Sequence, residues 1–358
     1  MHNLHTFAAT FLLAWILAAQ PQVRTVIARG TPSCTTCVIE LTRIATVGKA
    51  DDPILLMNYS EVKRGPRNML IVTNSIGASP SVLAFDSTGR FVKEIGRQGQ
   101  GPGEFSGWSW YLGMGRADSL YFRDRGDRYQ VFAPSFEFGR PIPFSDFNAY
   151  PLLALPNGNF IVRTYPRRGQ PYAHQALLVS PDGVPVRPFG FITPEEGEAF
   201  PTASSRSYSL TRDRAGFLVA RRNQYDIQRF TLDGQRNFIL TVENSPWMIP
   251  WMVDPAAPFT EVEALRDAGQ DRVWVIGRVP AQGATRFTRA NTASWGTRRE
   301  ETLSTIVELI DLARGSVIAS RRFEKEIYYF VDHDHVARQR QDSAGIISWD
   351  IFRVGLRQ

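Results

Sequence analysis

The chain has 358 residues, 43% of them hydrophobic and 21% charged, and no low-complexity tract, so it can bury a large core. Its Gly 28 and Pro 23 set many turns and favour short strands over long helices. The net charge of +6 is spread without any run of like charge, which speaks against a nucleic-acid partner and fits a basic exported protein.

The N-terminus reads "MHNLHTFAATFLLAWILAAQPQ". Residues 7–19 form an apolar run of signal-peptide length, too short to span a bilayer comfortably, with Ala18 and Ala19 ahead of Gln20 and Pro21. The n-region carries only His2 and His5 and no Lys or Arg, and an uncleaved anchor is the alternative. Residues 1–20 are therefore expected to be a signal peptide, and no later segment is long and apolar enough to cross a membrane. Next comes a segment over 21–37 holding the two cysteines, Cys34 and Cys37, as "CTTC". A thioredoxin-type centre would place the first cysteine at a helix N-terminus to lower its pKa. The following "VIELTRIATVG" is alternating and β-branched, so a strand follows and a local disulfide is expected.

From residue 38 onward, strand patterns separated by Gly, Pro, Asn and Asp corners repeat. Successive copies are "NMLIVTNS…SVLAFDSTGRFVKEIG", "DSLYFRDRGDRYQVFAPSFEFGRPIPF", "GNFIVRTY…QALLVSPDGVPVRPFG" and "AGFLVARRNQYDIQRFTLDGQRNFILTV". Phe85, Phe132, Val179 and Phe230 end their middle strands at steps of 47, 47 and 51. A fifth copy is split by the polar insertion 281–302, and a sixth, "YYFVDHDHVARQRQDSAGIISWDIFRVGL", lacks one outer strand. Periods of this size mean propellers or solenoids. The spare strand at 38–48 fills the missing place beside 346–356, so the reading is all-β: a six-bladed β-propeller over 38–358 whose N-terminal strand completes the last blade.

"GRQGQGPGEF" at 96–105 half-matches a dinucleotide fingerprint, but no helix follows it and Pro102 removes one donor. It reads as a corner between blades. Together with "FDSTGRFVKEIG" before it, this connector resembles the inter-blade signature of NHL-type bacterial six-bladed β-propeller proteins, and the chain's two ends look like those of secreted members. The resemblance implies the fold and export and brings no activity with it.

Candidate chemistry is sparse. "DHDH" offers Asp332 and Asp334 as weak metal candidates, with alternation sending His333 and His335 to the other side of a solvated turn. Calcium on the axis would need acidic or amide groups at the hub ends of several strands, and Asn74, Asp124, Asn223 and Asp332 are the candidates. Asp124 and Asn223 sit among Arg123, Arg125, Arg221 and Arg222, which would repel a cation and favour an anion, so no cofactor is expected. Trp108 and Trp110 of "WSWY", and Trp247 and Trp251 of "PWMIPW", suit carbohydrate or protein contact, with inter-blade packing as the plainer use. His174, His333 and His335 lie in no catalytic motif, and G-x-S-x-G is absent. The expected function is a monomeric, periplasmic or extracellular binding module, non-enzymatic, taking a protein, glycan or other ligand on one face. The alternative is a metal-dependent hydrolase, lactonase or lyase on the axis.

Overall fold

The computed structural model describes residues 23–74, 81–107, 109–124, 128–143, 149–164, 176–189, 206–221, 224–248, 260–283 and 302–358. Strands β1 (Arg24–Arg29) and β2 (Val38–Val47) precede six hairpin-built units. Unit one holds β3 (Ser60–Arg64), β4 (Leu70–Asn74), β5 (Ser81–Phe85) and β6 (Phe91–Glu94). Unit two holds β7 (Trp110–Met114), β8 (Leu120–Arg123), β9 (Arg128–Phe132) and β10 (Phe138–Pro143). Unit three holds β11 (Ala149–Ala154), β12 (Phe160–Thr164), β13 (Ala176–Val179) and β14 (Pro185–Phe189). Unit four holds β15 (Arg206–Leu210), β16 (Gly216–Arg221), β17 (Asp226–Thr231) and β18 (Arg236–Glu243). Unit five holds β19 (Glu261–Gly269), β20 (Arg272–Pro280), β21 (Leu303–Asp311) and β22 (Ser316–Phe323). Unit six holds β23 (Tyr328–Phe330), β24 (His335–Gln341) and β25 (Ile347–Arg357). Each unit is an antiparallel meander, and β2 supplies the fourth strand of unit six, in register from Val38 opposite Arg357 to Val47 opposite Trp349.

Side-chain alternation decides how the units assemble. Along β4, Leu70 and Val72 face one neighbour and Ile71 the other; along β5, Leu83 and Phe85 part from Val82 and Ala84 in the same way. Leu70, Val72, Leu83 and Phe85 join Ala337, Trp349 and Ile351 of unit six, whereas Ile71, Val82 and Ala84 join Tyr111, Phe122 and Phe132 of unit two. The same division gives apolar layers between units two and three, three and four, four and five, and five and six. Layers between all six successive pairs, unit six to unit one included, make a closed ring. Sheets covered on both faces need apolar residues on both, which is why β4 and β5 read as nearly unbroken buried runs while outer β6 is exposed.

The first strands line the inside of the ring: β3 lies against β7, β7 against β11, β11 against β15, β15 against β19 and β19 against β23. Arg64 N donates to Val331 O at 3.1 Å and returns the ring to its start. A second seam bond runs from Trp349 Nε1 to Ser60 Oγ, 2.8 Å, buried.

The spare strand thus pairs where the sequence placed it, but it is not the whole clasp. Residues 24–29, which showed no strand pattern in the sequence reading, form β1, parallel to β18 from Arg24 opposite Phe238 to Arg29 opposite Glu243. Arg29 also bridges to Ser316, joining units four and five into one nine-stranded sheet, and Ser33 N and Cys34 N donate to Val317 O and Ile318 O of β22 at 2.8 and 3.1 Å. The N-terminal segment therefore runs along the outer edges of units four and five before entering unit six. Cys34 and Cys37 are disulfide-bonded at the bend between.

The glycine-rich connector is closed on itself. Glu104 Oε2 accepts from Gly101 N at 3.0 Å, and its Oε1 accepts from Arg97 Nε at 2.7 Å. Gly103 N donates to Gln130 Oε1 at 2.9 Å, and Gly99 N to Phe105 O at 3.0 Å. The donors a phosphate would use are spent on the loop's own carboxylate, an amide and a carbonyl. A Cβ at Gly99 would lie 2.0 Å from the Glu104 carboxylate, so a side chain there would have to displace it. Phe105, fully buried, stacks on Phe132 and meets Phe122 edge-on, plugging the layer between units one and two. In unit two, Phe136 stands at the corner in a left-handed conformation, φ 70°, where the repeat usually has glycine.

Candidate functional site

The hairpins that join first to second strands bring charge to one end of the ring, here called the hairpin end. Arg67–Asn68, Ala117–Asp118 and Gln270–Asp271 occupy two-residue turns with both central φ values positive, the geometry that continues the twist of a tight hairpin.

The "DHDH" stretch lies here, and its geometry corrects the alternating reading. Residues 331–334 bend rather than extend, so Asp332 and His335 meet: Nδ1 of His335 lies 2.8 Å from Asp332 Oδ1. Arg64 Nε donates to Asp332 Oδ2 at 2.7 Å, and Asp334 N donates to its Oδ1 at 2.8 Å. Nor is the turn simply solvated, since the Asp332 side chain is only 19% exposed. Burial acts to raise the Asp332 pKa, but the His335 hydrogen bond and the Arg64 charge outweigh it and hold the carboxyl well below the usual range. Asp334 faces away and is bound by the Arg212 guanidinium through both of its oxygens.

The 211–215 turn of unit four reaches furthest. Arg212 extends to Asp334 of unit six, and its backbone N donates to Asp267 Oδ2 of unit five at 3.0 Å. Arg214 extends the other way, to Asp118 Oδ1 at 2.7 Å and to Gly115 O at 2.9 Å in unit two. Both arginines thus pass beyond the adjacent units and tie the turn across the hairpin end. Arg266, on β19, is half-buried; its Nη1 donates to Leu265 O at 2.7 Å and its guanidinium lies 5.4 Å from the centre of the buried Phe330 ring. Desolvation draws its pKa down to about 10, with Asp332 acting in the opposite direction. His333 Nδ1 lies 3.0 Å from Asp267 O, a backbone carbonyl. Burial, then the Arg266 and Arg212 charges, lower the His333 pKa, and Asp267 only partly opposes them.

The other sequence-predicted residues lie elsewhere. Arg123 and Arg221 end the second strands of units two and four, at the opposite end of the sheets, with unit three between them. Arg123 stacks 5.1 Å from the Trp110 ring, and Arg221 is paired with Asp226, Nε to Oδ2 2.7 Å. Trp247 is buried against Tyr225, ring centroids 5.1 Å apart, in the layer between units four and five. Arg125, Arg222, Trp108, Trp251, Asn223 and His174 lie outside the described residues. Two of the calcium candidates staple loops: Asn74 Oδ1 accepts from Met57 N at 3.2 Å, and Asp124 accepts from Ser106 N at 3.0 and 3.1 Å. They stand at the end opposite Asp332, so these three cannot converge. Among the described residues no three His, Cys, Asp or Glu side chains are placed to share a metal ion. Sequence reasoning missed Arg64, Arg212, Arg214 and Arg266. The available signal was their position: Arg64 ends a first strand, Arg266 lies inside one near its end, and Arg212 and Arg214 are in the turn that follows another.

Sheets stacked face to face in a closed ring, each running from an inner to an outer strand, define a β-propeller. Comparison with known proteins agrees. Residues 49–113 match a family model described as a 6-bladed beta-propeller. A member of the duf4221 family from Bacteroides vulgatus superposes with TM-score 0.60 at 9% identity, over 88% of this chain and 98% of that one. A protein of Bacteroides fragilis described as exported superposes with TM-score 0.57 at 12% identity, over 94% and 100%. At such identities the likeness is one of fold. No curated protein matches the sequence. Among the described residues, no helix is long and apolar enough to cross a membrane.

Proposed function

We propose that the chain is an exported six-bladed β-propeller of NHL-like kind, acting in the periplasm or outside the cell as a binding module rather than as an enzyme. The observation that supports it most is the make-up of the hairpin end. Arginines from units one, four and five gather there beside an aromatic ring, and the neighbouring carboxylates are already bound by arginine, histidine or backbone N–H groups. Such a surface favours ligand contact over cation chemistry. Export is supported by the signal-like residues 1–20, by the Cys34–Cys37 disulfide and by the description of the Bacteroides fragilis neighbour. The ligand is a protein, a glycan or a small molecule carrying negative charge.

One observation favours the second reading, a metal-assisted hydrolase, lactonase or lyase. The Asp332–His335 pair fixes an imidazole by its Nδ1, as a general base requires. The test combines metal analysis of the purified mature protein, a lactone and ester substrate panel, and a glycan and protein binding screen. Saturable binding without turnover is the expected result. Stoichiometric metal with turnover, abolished in His335→Gln, would replace the binding reading.

A further inference from the structure

Most of the charged groups at the hairpin end already have partners. Asp332 is bound by Arg64 and His335, Asp334 by Arg212, and Asp267 by the backbone N–H groups of Arg212 and Gly269. Arg214 is taken by Asp118. Arg266 has no carboxylate within ion-pair distance among the described residues. One hydrogen bond, from its Nη1 to the Leu265 carbonyl, accounts for one of its five N–H donors, and the Phe330 ring covers one face of the guanidinium.

The remaining N–H donors of this half-buried guanidinium are not sealed in the core, so they are open to an acceptor that a ligand brings. The surroundings point the same way: at His333, the Arg266 and Arg212 charges outweigh Asp267. The planar fork of arginine matches a carboxylate in two parallel hydrogen bonds, and a ring behind the fork restrains it in the plane needed.

We infer that Arg266 is the anchor of a ligand-binding site inside the hairpin end of the ring, and that it receives a carboxylate group of the ligand, with Phe330 behind the guanidinium and His333 beside it. This deepens the binding reading and rests on it. The ligand class is a small organic acid, or an acidic group displayed on a larger glycan or peptide.

The experiment is isothermal titration of the full mature protein with acetate, with succinate and with inorganic phosphate, at pH 7 and constant ionic strength set by chloride. Wild type is expected to bind acetate or succinate saturably and more tightly than phosphate. Arg266→Gln should weaken that binding about tenfold or more, Arg266→Lys should retain part of it, and Arg90→Gln, at an exposed pair on the rim, should leave it unchanged. Absence of saturable carboxylate binding in wild type overturns the assignment, whether or not the variants fold. So does equal affinity in Arg266→Gln, and so does preference for phosphate. Carboxylate binding can fail while a glycan or protein still binds, which leaves the module reading standing. Metal-dependent turnover removes that reading whatever acetate does.

Discussion

Replacing Asp332 with asparagine tests the inner seam of the ring. The substitution keeps the volume and the oxygen that Asp334 N can use, but it removes the charge to which Arg64 and His335 are bound. Arg64 and Asp332 are 11% and 19% exposed, so the pair is largely withdrawn from water without being fully desolvated. Charge-assisted hydrogen bonds contribute about 1.5–3 kcal/mol each, and breaking a fully buried pair costs about 3–5 kcal/mol. Residual solvation places the expected loss for Asp332→Asn at about 2–4 kcal/mol. Urea unfolding at pH 7 measures it, with a double-mutant cycle against Arg64→Met expected to give a coupling of about 1–3 kcal/mol. Removing the exposed Arg214–Asp118 bridge by Asp118→Asn should cost no more than about 1 kcal/mol. The pH dependence supplies a sign. Because the folded pKa of Asp332 is depressed, its contribution is present above the unfolded carboxylate value and fades as pH falls towards the folded one. The deficit of Asp332→Asn should therefore shrink as pH falls below about 4. A deficit under about 0.5 kcal/mol at pH 7, or one that does not shrink below about pH 4, would refute the reasoning.

Phe105→Ala should destabilise the protein by about 3–5 kcal/mol in the same assay, since a fully buried ring between units one and two is deleted; a loss below about 1 kcal/mol would mean the connector is not a structural plug. Gly89→Ala should also unfold at lower urea, by at least about 1 kcal/mol, because Gly89 has φ +86° and a Cβ there would lie 2.2 Å from Thr46 O; wild-type stability would contradict the close approach of that turn to β2. The double variant Cys34→Ser with Cys37→Ser should lose only about 2 kcal/mol or less, the loop being so short, and should keep its far-ultraviolet circular dichroism.

What the sequence settled by itself was the unit and its repetition. Each sheet is made by neighbours in the chain, through hairpin corners such as Asp86–Gly89 and strands whose odd and even residues are both apolar, and these are local signals. The closing strand was legible for a related reason: six copies lacking one strand and one spare strand at 38–48 leave a single place to fill. Short β1 was not legible, because six residues lying parallel beside β18 need neither a hairpin nor a full apolar face of their own. The hairpin end was decided only by tertiary structure. Arg64 and Asp332 are 268 positions apart, and Arg212 and Asp334 are 122 apart. Charged side chains in turns carry no hydrophobic period, so the sequence shows that they are near corners but not which corners meet. Closing the ring brings those corners together, and only then does Arg266 stand beside Phe330 with, among the described residues, no carboxylate within ion-pair distance.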